Sequence, residues 1–268
     1  MSNRNWNRNQ YGKQNFQKNA GLPWNTYGIY FTCEYEKSAV REAQNIISKY
    51  LDESSFGQPG TVGDKDEELD IADLLQKEVE ESKKPKISMR IRQLPTGIKH
   101  SLFFEVTELP RDKLVDFVSK VVNDSQTNQQ CRFLLRALPI EDISSDENPM
   151  LPNKLRRILE HHYSEFSRSS KSHPTFAVDF KATFTSYKRQ TALDLVCETV
   201  KDINPQSCVN LNQPDFTVIF HVIKKAVLLA CVRDFTQRRK FSLRPSEADS
   251  DKKEKTESFQ KQSEESTE

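Results

Sequence analysis

Val209 to Arg244 reads VNLNQPDFTVIFHVIKKAVLLACVRDFTQRRKFSLR. Two apolar runs lie inside it, Phe216 to Ile223 and Ala226 to Val232, separated by Lys224 and Lys225. Apolar runs of this length, rich in β-branched residues, predict two buried strands joined by a short turn. Cations sit at the turn and again just past the second strand, at Arg238-Arg239-Lys240. A buried hairpin rimmed with positive charge is poorly equipped for catalysis and well suited to a polyanion.

Working outward, charge is segregated along the chain although the 268 residues sum to only +1. Leu151 to Pro245 carries sixteen Lys or Arg against eight Asp or Glu, a balance of +8. Asp64 to Glu81 is acidic at −7, and Ser246 to Glu268 stands at −4. The first twenty-four residues hold four cations and no acid. Such asymmetry says more about partners than the sum does.

Cysteines fall at 33, 131, 197, 208 and 231, an odd count with no CxxC pair and mostly within apolar runs. That pattern predicts reduced thiols in an intracellular protein, without disulfides or zinc. No N-terminal apolar stretch resembles a signal peptide and no apolar run approaches eighteen residues, which argues against secretion and against a membrane partner.

The fold class expected is α/β (α+β). Residues 1–25 form a basic, Asn-rich arm expected to be disordered. A first unit over 26–129 contains a strand at Tyr27 to Cys33, an amphipathic helix at Glu36 to Leu51 and an acidic insertion at 52–84. The insertion holds a short helical pattern around Leu69 to Val79. Strands at Ile87 to Leu94 and Ser101 to Thr107 follow, then a helix at Pro110 to Asn123 and a strand at Cys131 to Leu138. That order is βαββαβ, the ferredoxin-like succession. A second unit over 130–245 continues with a helix at Leu151 to Ser167, a strand at Phe176 to Phe184, a helix at Arg189 to Ile203 and the hairpin. Alternating strands and helices imply a partly parallel sheet. The charged tail, 246–268, is expected to be disordered.

Several chemistries lack their residues. No glycine follows Gly97, so the C-terminal half has no glycine loop to cradle a dinucleotide, a P-loop phosphate or acetyl-CoA. GxSxG, HExxH and CxxC do not occur. His161 and His162 are adjacent, so they cannot share a metal from one helical face, and His162 reads as a satisfied core histidine, as does His221. No catalytic residue, metal site or cofactor is expected in this chain.

The candidate RNA-binding residues are the cations of the second unit: Arg132, Arg136, Lys154, Arg157, Lys181, Lys188, Arg189, Lys224, Arg233, Arg238, Arg239 and Lys240. Arg132 and Arg136 lie four apart in a predicted strand and would share a face. Helix starts and strand ends let Lys, Arg and backbone N–H groups bracket phosphates, which positions a nucleic acid without reading its sequence.

These residues carry a resemblance. Arg132-Phe-Leu-Leu-Arg-Ala-Leu-Pro-Ile140, Phe180-Lys181-Ala182, Val209-x-Leu211-x-x-Pro214 and Val232-Arg233-Asp234-Phe235 leading to Arg239-Lys240-Phe241-x-Leu243 are similar to motifs of the THUMP-domain-containing adaptor family that assists tRNA cytidine acetylation. The match runs from about Tyr27 to Arg244. The resemblance implies a ferredoxin-like domain followed by an α/β THUMP domain. It implies a non-enzymatic adaptor that binds tRNA, notably serine and leucine tRNAs, for N4-acetylcytidine formation in the D arm. The partner is a separate RNA cytidine acetyltransferase that uses acetyl-CoA and ATP, in the nucleus and notably the nucleolus, with the cytoplasm as an alternative. Two departures stand out. After Phe180-Lys181-Ala182 the family usually continues with Arg and Asn, where this chain has Thr183-Phe184-Thr185-Ser186; and His221 stands where the family tends to have an acid. Two other readings are an RNA-binding part of another tRNA-modification machine, including one that keeps catalysis in this chain, and a protein-interaction scaffold built on the acidic segments.

Overall fold

A computed structural model describes residues 21–53, 90–169 and 173–245. The short helix expected near Leu69 to Val79, the first residues of the strand expected from Ile87, and the charged tail lie outside the described residues. So do residues 1–20 of the N-terminal arm.

The first unit contains β1 (Gly28–Cys33), α1 (Glu36–Glu53), β2 (Ile91–Leu94), β3 (Ser101–Val106), α2 (Leu114–Thr127) and β4 (Leu134–Ile140). Its sheet runs β2-β3-β1-β4, antiparallel throughout, the order of a ferredoxin-like fold. Gly28 is required where it sits, because a Cβ there would lie 2.1 Å from the Phe104 carbonyl oxygen of the neighbouring strand. A 3-10 turn over Arg111–Lys113 leads into α2, so the expected Pro110 start resolves into an extended proline followed by a tighter turn.

The second unit adds β5 (Asp142–Ser145), α3 (Leu151–Ser169), β6 (Phe176–Thr183), α4 (Arg189–Ile203), β7 (Phe216–Ile223) and β8 (Ala226–Arg233). Its sheet runs β5-β8-β7-β6, with β6 parallel to β7 and the remaining pairs antiparallel. β7 and β8 are the expected hairpin. Every residue from Phe216 to Val232 is buried except the turn cations Lys224 and Lys225. Full burial of each large aliphatic or aromatic side chain here contributes about 1.5–3 kcal/mol relative to exposure.

The pleat sorts the hairpin onto two cores. Val218, Phe220, Val222, Val227 and Leu229 pack with Leu155 and Leu159 of α3 and Val196 and Val200 of α4. Ile219, Ile223, Leu228 and Val232 face the other way, into one cluster with Ile29, Phe103, Val118 and Phe241. The first unit therefore covers the sheet face that the helices leave open.

Two expectations change. The strand expected at Cys131 begins only at Leu134, because the Glu42 carboxylate of α1 accepts the backbone N–H groups of Arg132, Phe133 and Leu134, the last two at 2.9 and 2.8 Å. β4 pairs with β1 in the first sheet, and the second sheet begins with β5. Residues 21–25, assigned to the disordered arm, are placed: Leu22 is buried in the core, and the Asn25 N–H donates to the Ile143 carbonyl at 2.9 Å. Among the described residues no helix is long and apolar enough to cross a membrane.

Candidate nucleic-acid interface

Because β6 and β7 are parallel, Thr183 and Ile223 are register partners, and the Lys224 N–H donates to the Thr183 carbonyl at 2.9 Å. That bond brings the hairpin turn against the loop that feeds α4. Lys181 is exposed on the edge strand β6, two residues before this point. Lys188 and Arg189 are exposed at the start of α4, which has no side-chain cap. The N–H groups of an uncapped first turn and its dipole favour an anion. The Lys224 ammonium reaches across to Gly97, in the β2–β3 turn of the first unit. Lys181, Lys188, Arg189 and Lys224 thus come together as a rim, and none has an ion-pair partner among the described residues.

A second group extends the rim. After β8 the chain turns back along β4: the Ala137 N–H donates to the Phe241 carbonyl, and the Leu243 N–H to the Leu135 carbonyl at 2.9 Å. Arg239, Lys240 and Phe241 have φ of 52°, 55° and 57°, three consecutive left-handed residues. Phe241 is fully buried, and this turn leaves Arg239 and Lys240 exposed. Arg136 is exposed on β4, where it forms a backbone bridge with Ser242. The Arg244 guanidinium binds the Glu34 carboxylate at 2.6 Å, closing the path to the end of β1.

Below this group lies an uneven pair. His221 Nε2 is 2.7 Å from Asp179 Oδ2. Burial pushes the Asp179 carboxyl up, but the His221 hydrogen bond and charge, with Lys240 and Arg136, outweigh it and hold it below its ordinary value. Among the described residues His221 Nδ1 is buried with no hydrogen-bond partner, so there His221 is a core histidine satisfied on one side only.

Other predicted site residues are engaged within the fold. Lys154 is half-buried and donates to Asp142 Oδ1 at 3.0 Å and to the Ile143 carbonyl at 2.9 Å. Arg157 donates to Asp142 Oδ2 at 2.6 Å, and Arg111 approaches the same oxygen at 3.4 Å. Asp142 is 1% exposed, so three cations neutralise one buried carboxylate, as desolvation demands. Arg238 is tied to Asp234, Asn123 and the Arg233 carbonyl. Arg233 lies over the Phe166 ring at 5.4 Å. Both line a cleft against α2. Arg132 does not share the β4 face with Arg136; it sits in the bend held by Glu42, over the Phe133 ring.

Sequence reasoning missed Asp142, Glu42 and Asp179. All three are short-range carboxylates whose partners are distant in the chain, and local patterning carries no signal for them. His162 is the satisfied core histidine expected, bound to both oxygens of Glu141 at 3.0 and 3.1 Å. All five cysteines are free. Burial, then Glu36, pushes the Cys33 thiol to about 11; burial, then Glu42, pushes Cys131 to about 12. Among the described residues no group of three or more His, Cys, Asp or Glu could hold a metal ion.

Comparison with known proteins places this geometry. Residues 151–232 match the family model of the THUMP domain. The chain is 26% identical over 229 residues to THUMP domain-containing protein 1 of Bos taurus, covering 81% of this chain and 62% of that protein. It is likewise 26% identical to THUMP domain-containing protein 1 of Mus musculus over 228 residues, covering 81% of this chain and 63% of the relative. The chain therefore spans a little over three-fifths of the length of these relatives. Among solved structures it is similar to a 4-thiouridine synthetase–RNA complex with bound ATP, at 9% identity and TM-score 0.43 over 77% of this chain and 41% of that one. The solution structure of the THUMP domain of THUMP domain-containing protein 1 is similar at 19% identity and TM-score 0.26, over 34% of this chain and 92% of that one.

Proposed function

We propose that this protein is a non-catalytic adaptor that binds tRNA and presents it to a separate RNA cytidine acetyltransferase for N4-acetylcytidine formation in the D arm. The observation that carries the RNA-binding part is the convergence of Lys181, Lys188, Arg189 and Lys224 at one end of a sheet in the segment that matches the THUMP domain. The homology to THUMP domain-containing protein 1 supports the same assignment.

On this reading the rim grips the acceptor-stem end of serine and leucine tRNAs through phosphate and 2′-OH contacts, largely by shape. The ferredoxin-like unit sets the distance to the D arm. The chemistry, with its acetyl-CoA and ATP, belongs to the partner, and the chain works where that enzyme does, in the nucleolus.

Mass spectrometry of tRNA nucleosides from cells lacking this chain tests the role. The adaptor reading expects N4-acetylcytidine to disappear from tRNA and to return with the wild-type chain but not with a Lys188→Glu/Arg189→Glu variant. Unchanged N4-acetylcytidine, or acetylation of tRNA by the purified chain alone, contradicts it.

A further inference from the structure

We propose that the exposed Tyr35 ring, in the cleft it lines with Phe133, is a stacking site for an unpaired RNA base, with the flanking phosphates held by Lys37, Arg41, Lys99 and Arg132. The inference rests on the RNA-binding reading above and extends it to the ferredoxin-like unit.

Tyr35 is the residue before α1 and is 66% exposed. Its carbonyl accepts the Ala39 N–H at 2.9 Å, a backbone duty that any side chain would permit. Its ring meets Phe133 edge-on, with centroids 6.0 Å apart and planes at 90°. Phe133 is half-buried, and the Arg132 guanidinium lies 5.5 Å above its ring. A cleft of about 710 Å³ opens between Tyr35, Lys37, Lys99, His100 and Phe133. A second, of about 600 Å³, shares Lys37 and Phe133 and reaches Arg41. Volumes in this range accommodate a base with its sugar.

Charge favours an anion at this site. Each of its three acids has a partner: Glu34 pairs with Arg244 at 2.6 Å, Glu36 accepts from the His100 N–H at 2.7 Å, and Glu42 accepts from three backbone N–H groups. Lys37, Arg41, Lys99 and Arg132 are exposed and form no ion pair among the described residues. Lone exposed aromatics are ordinary. Two rings, a guanidinium over one of them and three further cations along two adjoining clefts match the combination that binds single-stranded nucleic acid.

The cleft also adjoins the rim. Lys99 and His100 follow Gly97, which Lys224 touches, and Glu34 joins Arg244, whose carbonyl accepts from Arg239 at 2.8 Å. An RNA whose helical part lies on the rim would bring an unpaired end or loop to Tyr35.

The test uses the full chain with two probes, a blunt A-form RNA duplex and a seven-nucleotide single strand carrying 2-aminopurine. Tyr35→Ala is expected to weaken the single strand about 5- to 150-fold, the range that stacking of one base spans. Duplex binding should change less than twofold, and Tyr35→Trp should retain single-strand binding. Wild type should quench the 2-aminopurine, and Tyr35→Ala should not. Equal weakening of both probes, an unquenched 2-aminopurine, or unchanged RNA binding with loss of acetyltransferase capture overturns the inference, the last making the cleft a protein-docking face. Wild type that binds the duplex but not the single strand overturns this inference alone; wild type that binds neither overturns the RNA-binding reading as well.

Discussion

Asp142 shows how a single residue reassigns its neighbours. Lys154 and Arg157 look alike in sequence to the rim cations, yet a buried carboxylate engages both. Removing one partner of a buried ion pair leaves the other uncompensated. Asp142→Ala is therefore expected to destabilise the chain by about 3–5 kcal/mol in urea titration; a loss under about 1 kcal/mol would show the pairing to be incidental. Asp179 offers a second residue-scale check. Its folded carboxyl titrates below its ordinary 3.8, so its stabilising contribution is full above that pH and is lost as pH falls through the lower folded value. The stability gap between wild type and Asp179→Asn should shrink on acidification below pH 3.8, and a gap indifferent to acid would contradict the His221 pairing. Neither carboxylate was legible in the sequence. Asp142 finds Lys154 twelve positions on but Arg111 thirty-one positions back, and Asp179 finds His221 across a parallel strand pair.

At the scale of elements, legibility followed locality. The hairpin's two apolar runs became β7 and β8 to within one residue, because its burial is written in consecutive side chains. β5 was invisible: Asp-Ile-Ser-Ser has no apolar pattern, and it is buried only because cations and strand β8 satisfy it. β4 began three residues late because Glu42, about ninety positions away, holds the preceding N–H groups. Two elements invite substitution. Gly28→Ala drives a methyl into the Phe104 carbonyl and should cost about 1–3 kcal/mol by thermal or urea unfolding; wild-type stability would mean that β1 and β3 can part. Lys240 sits at φ 55° in the left-handed turn, where a non-glycine residue is strained. Lys240→Gly should raise stability by up to about 1 kcal/mol while weakening tRNA binding. Loss of both properties together would mean that Lys240 acts through the fold instead of the ligand.

Across the whole molecule, the +8 balance of residues 151–245 signalled a polyanion partner but not which cations would meet it. Packing made that selection. Parallel pairing of β6 and β7 gathered Lys181, Lys188, Arg189 and Lys224 at one end, and internal carboxylates and rings withdrew Lys154, Arg233 and Arg238. Tyr35 and Phe133, ninety-eight positions apart, meet only because β1 and β4 are neighbours. The central claim is that this rim holds tRNA by its charge. It is tested most directly by fluorescence anisotropy of labelled tRNA across a salt series. The proteins compared are wild type, Lys188→Glu/Arg189→Glu/Lys224→Glu, and a control reversing Lys201, which is exposed in the last turn of α4 away from the rim. Affinity for wild type should fall by about 0.7–0.9 log units per log unit of salt for each phosphate neutralised. The rim variant should bind at least about tenfold more weakly with a shallower salt dependence, and the control should match wild type. Equal affinity and equal salt slope for all three proteins would contradict the account.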